Sequence, residues 1–188
     1  ILIHRYDNSK PVISGTNSYT LNYDHSLTLD QIKSALSISD NVDSDLQLNV
    51  VSDNFSANKN IIGSYQVVFN TTDRSNNTSD NYVVSIEVQN QGTPVISAPG
   101  TIEIGTSQVL SLEMLKQKIS VVDGYDGTIT SYDIEGYDNY ASNSKVVGTY
   151  TITISYTNSG GHNATATIKI ITSDTIAPDI LFNSYFTL

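Results

Sequence analysis

The sequence contains no cysteine and no tryptophan, has a single methionine, and only 4 of its 188 residues are proline. Without cysteine there are no disulfide bridges and no thiolate chemistry, so the redox compartment cannot be read from bridges. Basic residues are scarce: 9 Lys and Arg stand against 19 Asp and Glu, a net charge of -10 spread along the chain. Such a surface repels phosphate and anionic lipid, which argues against nucleic acid as a partner. No run of about 18 apolar residues is present, so membrane insertion is not expected. The chain opens on ILIHRYD, already strand-like and with no signal peptide, and reads as a window cut from something longer. Abundant Asn, Ser, Thr and Tyr point to an extracellular protein, secreted or on a bacterial cell surface.

What the sequence does contain is a repeat. KPVISG (10–15) returns as TPVISAPG (93–100), and APDI (177–180) begins a third copy, so that Pro11, Pro94 and Pro178 recur at a near-constant interval. Further matches keep the same order: LTLDQIKSAL with LSLEMLKQKI, SDNF (52–55) with YDNY (137–140), and NIIGSYQVVF with KVVGTYTITI. The expected organisation is the last strand of a preceding repeat (1–7), one domain at 8–91, a second at 92–174, and the start of a third repeat (175–188).

Within each copy, apolar and polar residues alternate with the period of a strand buried on one face. Tyr65, Val67 and Phe69 do so in the first copy, and Tyr150, Ile152, Ile154 and Tyr156 in the second. A second alternating run follows each, Tyr82 to Val88 and Ala164 to Ile170, across turn-rich TDRSNNTSDN and NSGGHN, which predicts a long terminal hairpin. One short helix per copy is expected. Thr28 or Ser111 would cap it, Gln31 would complete a capping box, and Leu29, Ile32 and Leu36 would form its apolar face over two to three turns. Five to seven short strands per copy predict an all-β protein of tandem immunoglobulin-like β-sandwich domains, each with one short helix. The missing Cys and Trp exclude an antibody-type domain.

These landmarks resemble the bacterial immunoglobulin-like repeats found in tandem in Gram-positive surface proteins and also appended to a pesticidal crystal protein. The residues that carry the resemblance are Pro11, Val12 and Ile13; Asp40, Asn41 and Asp43; Gly63 and Tyr65; and Asp73, Asn76 and Asn77. In the second copy they are Pro94, Val95 and Ile96; Asp123, Asp126 and Gly127; Gly148 and Tyr150; and Gly161 and Asn163. Asn158 departs from the pattern where Asp73 predicts an acid, and Ser44 replaces the turn glycine. The resemblance implies extension or attachment rather than a reaction. The expected role is that of a non-enzymatic structural or adhesive rod, its tandem domains acting as spacer or assembly modules. The alternative is a glycan- or receptor-binding accessory module of a secreted enzyme, toxin or phage fibre.

No catalytic constellation is legible. His4, His25 and His162 are scattered, and there is neither a G-x-S-x-G turn nor a glycine-rich phosphate loop. The acidic turn SDNVDSDL offers Asp40, Asp43 and Asp45 as calcium ligands, calcium being the one cofactor the sequence raises. The competing reading, preferred here, is a strand-to-strand turn whose acids accept backbone N–H groups. Tyr125, Tyr132, Tyr137 and Tyr140 cluster in the second copy and form a candidate ligand-binding patch for a glycan or host surface. Other expected partners are neighbouring repeats of the same protein and, through strand addition at the fragmentary ends, other copies of the chain.

Overall fold

A computed structural model of the chain describes residues 6–179. The expected strand at the start of the chain and most of the third-repeat segment lie outside the described residues. The chain divides between Gln91 and Gly92 into two units, here called domains 1 and 2.

Domain 1 contains β1 (Val12–Gly15), β2 (Ser18–Asn22), α1 (Leu29–Ser34), β3 (Leu36–Ser39), β4 (Asn49–Asp53), β5 (Gly63–Asn70) and β6 (Tyr82–Gln89). They form a two-stranded sheet, β1-β3, and a four-stranded sheet of order β2-β6-β5-β4. The expected hairpin is β5–β6, antiparallel with Tyr65 opposite Ile86 and Phe69 opposite Tyr82. Alternation buries Val67 and Phe69 from one strand and Val84, Ile86 and Val88 from the other, together with Ile13, Ile32 and Phe55. Each such side chain contributes about 1.5–3 kcal/mol relative to exposure, which makes this face the main source of the domain's stability.

Domain 2 contains β7 (Val95–Ser97), β8 (Thr101–Gly105), α2 (Leu112–Lys116), β9 (Ser120–Asp123), β10 (Gly127–Ile129), β11 (Asp133–Glu135), α3 (Tyr137–Ser142), β12 (Gly148–Thr157) and β13 (Asn163–Ser173); α3 corrects the expectation of one short helix per copy, because the segment that holds Tyr140 is itself helical. Its sheets have the orders β10-β9-β7 and β11-β12-β13-β8. The larger one matches that of domain 1 strand for strand, down to the parallel pairing of β8 with β13 and of β2 with β6. Its core is built on Ile152, Ile154, Ile168, Ile170, Leu115 and Tyr140.

The short helices are shorter than the apolar spacing predicts. α1 has 6 residues and α2 has 5. The capping box is present: Thr28 Oγ1 accepts from Gln31 N at 3.3 Å, and Thr28 N donates to Gln31 Oε1 at 2.8 Å. α1 ends at Ala35 because Leu36 is taken into β3, where it pairs with Gly15. The i+7 position therefore serves a strand instead of a third helical turn.

The second strand-to-strand turn also differs between copies. Gly127 adopts φ 78°, which lets the chain fold back as the β9–β10 hairpin. Ser44 occupies that place in domain 1, where a side chain disfavours positive φ, and no strand follows β3 before β4.

Candidate functional site

Four acidic side chains of domain 1, Asp7, Asp40, Asp43 and Asp73, converge. Asp40 directly follows β3, and its Oδ1 accepts from the backbone N–H groups of Val42 and Asp43, both at 2.9 Å. These donors hold its carboxyl below the ordinary value of 3.8, that of Asp43 first. Asp43, whose side chain is 5% exposed, accepts the Arg74 N–H on Oδ2 at 3.0 Å and has the Arg74 guanidinium 3.4 Å from Oδ1. Asp73 sits in the β5–β6 hairpin and orders its bend. Its Oδ1 accepts from Ser75 N at 2.9 Å and Asn77 N at 2.7 Å, and its Oδ2 from Asn77 Nδ2 at 2.7 Å. Asp7 lies in the segment that leads into β1; its Oδ1 accepts from Ser9 N at 3.0 Å and its carbonyl from Asn77 Nδ2 at 3.2 Å.

One carboxylate oxygen from each of Asp7, Asp40, Asp43 and Asp73 can be chosen so that all four lie within 4.8 Å of one another. Asp7 Oδ2 and Asp40 Oδ2 are shielded from solvent and have no hydrogen-bond partner. The cluster thus includes two of the acids singled out in the turn, Asp40 and Asp43. Asp45 is a correction: it is exposed and outside the group. Asp7 and Asp73 were not in the expected set, although Asp73 belongs to the repeat's hairpin signature. The signal that could have found them is topological, since the linker, the β3 turn and the last hairpin all meet at the same end of such a sandwich.

Domain 2 closes the same corner without a convergence of acids. Asp123 and Asp126 are the repeat equivalents of Asp40 and Asp43, but Asn158 stands in the hairpin position of Asp73, and Asn90 occupies the place of Asp7. Asn158 Nδ2 donates to Asp123 Oδ2 at 2.9 Å and to the Gly92 carbonyl at 2.7 Å. Asp126 accepts from Ser159 N at 2.8 Å, Ser159 Oγ at 2.6 Å and the Tyr156 hydroxyl at 3.2 Å. The hairpin equivalent of Asn77 is His162, whose N–H donates to Asn158 Oδ1 at 2.8 Å, and not Asn163.

The tyrosine patch needs correction as well. Tyr140 is fully buried, and its hydroxyl accepts from Leu110 N at 2.9 Å. Tyr137 is half-buried, packs on Tyr140 with ring centroids 5.9 Å apart, and donates to the Leu110 carbonyl at 3.0 Å. Tyr132 is half-buried against the domain 2 core, and Tyr125 is a half-buried residue of the β9–β10 turn. Aromatic area in this copy serves packing, because α3 turns the Tyr137–Tyr140 face inward beneath β12. Tyr65 and Tyr150, expected in the core, are half-buried at its edge, with hydroxyls donating to the carbonyls of Ile61 at 2.9 Å and Asn143 at 3.0 Å.

His25 is structural. Its Nδ1 accepts from Leu27 N at 2.8 Å, which leaves Nε2 as the donor to the Lys59 carbonyl at 2.6 Å, and its ring stacks on Phe55 at 5.6 Å.

No family model matches the sequence. The two sandwiches define the class of protein as tandem immunoglobulin-like β-sandwich domains. A protein of Acholeplasma phage L2, described as an uncharacterized 81.3 kDa protein, is 25% identical over 175 residues. The match covers 91% of this chain and 23% of the phage protein, so the chain spans about a quarter of its relative's length. Among solved structures, the M60 catalytic domain with the CBM51-1 and CBM51-2 domains from Clostridium perfringens ZmpB superposes with TM-score 0.42 at 10% identity, covering 88% of this chain and 31% of that one. Human CDH23 EC21-23 superposes with TM-score 0.40 at 12% identity, covering 88% and 70%. Among the described residues, no helix is long and apolar enough to cross a membrane.

Proposed function

We propose that the chain is a non-enzymatic extracellular segment of a bacterial surface protein, whose tandem immunoglobulin-like domains form a rod and serve as spacer or assembly modules. The observation that carries this reading is the recurrence of one four-stranded sheet order, β2-β6-β5-β4 and β11-β12-β13-β8, in the two successive domains. Repeats of this kind contact mainly their chain neighbours and extend in one dimension. The His25 ring and one carboxylate oxygen of each of Asp40 and Asp73 are engaged with backbone donors and acceptors.

A second reading places the same modules in a phage structure that meets the bacterial surface. It is favoured by the phage relative, whose 175-residue match is too long to fit within one domain and so includes the tandem itself.

Small-angle scattering together with a glycan array tests the rod. A single compact body of 188 residues has a radius of gyration of about 16 Å. A clearly larger value with no saturable glycan binding is expected, whereas the compact value, or a saturable ligand, overturns the spacer reading. The reading frame around this segment distinguishes a wall-anchored protein from a phage one.

A further inference from the structure

We propose that Asp7, Asp40, Asp43 and Asp73 hold one calcium ion, which fastens the segment leading into β1 to the turn after β3 and to the β5–β6 hairpin. Four carboxylates brought this close repel one another, and the energy rises as they leave water. Backbone and amide donors meet part of this charge, but among the described ion pairs the cluster is met only by the Arg74 guanidinium, at 3.4 Å from Asp43 Oδ1, and that side chain is 74% exposed.

The two oxygens without partners point to a bound cation. Asp7 and Asp40 each have one oxygen oriented by backbone N–H groups, while the other is buried with nothing to accept from. A buried carboxylate oxygen left this way costs free energy unless a cation or donor meets it. The spacing fits calcium. Two oxygens that are each about 2.4 Å from one ion can be no more than about 4.8 Å apart, and the four ligand atoms fall within that limit. Hard oxygen donors, several of them carboxylates, are what calcium selects, with water completing its six to eight positions.

Domain 2 supplies an internal comparison. At the same corner the Asn158 amide, a neutral donor, satisfies Asp123 Oδ2. Where the repeat places an amide the carboxylate is answered by a hydrogen bond; where it places Asp73, the buried oxygens go unanswered within the protein. The proposal assigns calcium to domain 1 alone and stands independently of the rod reading.

The test uses the whole chain and calcium chloride, followed by titration calorimetry, thermal unfolding, and hydrogen exchange at the Ser9 amide. One ion per chain is expected, with an affinity of roughly 10⁻⁴ to 10⁻³ M as in extracellular modules. Calcium should also raise the unfolding temperature and slow exchange at Ser9. Asp73→Asn installs the residue that domain 2 folds with, so it should remain folded, weaken calcium binding by roughly tenfold or more, and lose the thermal shift. Asp45→Ala should bind as the parent does. Absence of heat and of any thermal shift at millimolar calcium overturns the proposal. So does a response that survives both Asp73→Asn and Asp40→Asn, or one that disappears with Asp45→Ala.

Discussion

Asn158 donates through Nδ2 to Asp123 Oδ2 at 2.9 Å, and both side chains are almost completely buried, at 5% and 3% exposure. This amide-to-carboxylate bond gives Asp123 Oδ2 a donor within the protein, while its Oδ1 accepts from Tyr125 N and Asp126 N. Asn158→Asp removes the donor and adds a second buried charge. Loss of about 3 kcal/mol or more is expected, the range for breaking a buried pair, and urea unfolding of the whole chain measures it.

Tyr140 and Phe55 occupy equivalent core positions, yet only the tyrosine carries a polar task. Tyr140→Phe keeps the ring and leaves the Leu110 N–H without its 2.9 Å acceptor. The expected loss is about 1–3 kcal/mol, the cost of one unmet buried donor. Tyr140→Ala and Phe55→Ala should each cost about 3–5 kcal/mol through the cavity they leave, so denaturant midpoints must fall in that order.

The equivalent helices α1 and α2 differ in how they start. Thr28 and Gln31 form a reciprocal capping box, whereas Ser111 accepts a single hydrogen bond, from Met114 N at 3.2 Å. Thr28→Ala is expected to cost about 1 kcal/mol and at most about 2, with Ser111→Ala costing less. Differential scanning calorimetry on the two variants compares them directly.

Three phenols in domain 2 resist ionisation. Tyr132, Tyr137 and Tyr156 are all pushed above the ordinary value of 10.0, each chiefly by burial. Further contributions come from Glu113 for the first, from Tyr140 and Asp138 for the second, and from the hydrogen bond and charge of Asp126 for the third. The folded state therefore holds these protons more tightly than the unfolded chain does. That stabilisation is fully present below pH 10 and is lost as pH rises through the folded values. Unfolding temperature, followed by circular dichroism, should fall above pH 10. Tyr156→Phe should reduce the alkaline loss.

The repeat, the hairpins and the capping box were legible because each depends on residues close in sequence. The period of two along Val84 to Val88 and the pairing of Thr28 with Gln31 are local facts that packing had no reason to override. The acidic cluster was only half legible. Asp40 and Asp43 are neighbours in one turn, but Asp7 and Asp73 reach them through the return of the chain across the sandwich, which no local pattern encodes. The tyrosines misled for a related reason. Clustering in sequence suggested a surface patch, whereas a short helix at Tyr137–Ser142 carries Tyr140 into the core.

The parallel pairing of β2 with β6, Ser18 opposite Ser85 through Asn22 opposite Gln89, has a mechanical consequence. β2 lies near the domain's entry and β6 ends at its exit, and both run the same way. Tension applied across domain 1 pulls these strands past each other lengthwise, loading their cross-strand hydrogen bonds together in shear instead of peeling them apart one by one. β8 and β13 repeat the arrangement in domain 2, so each module contains a clamp oriented against stretching.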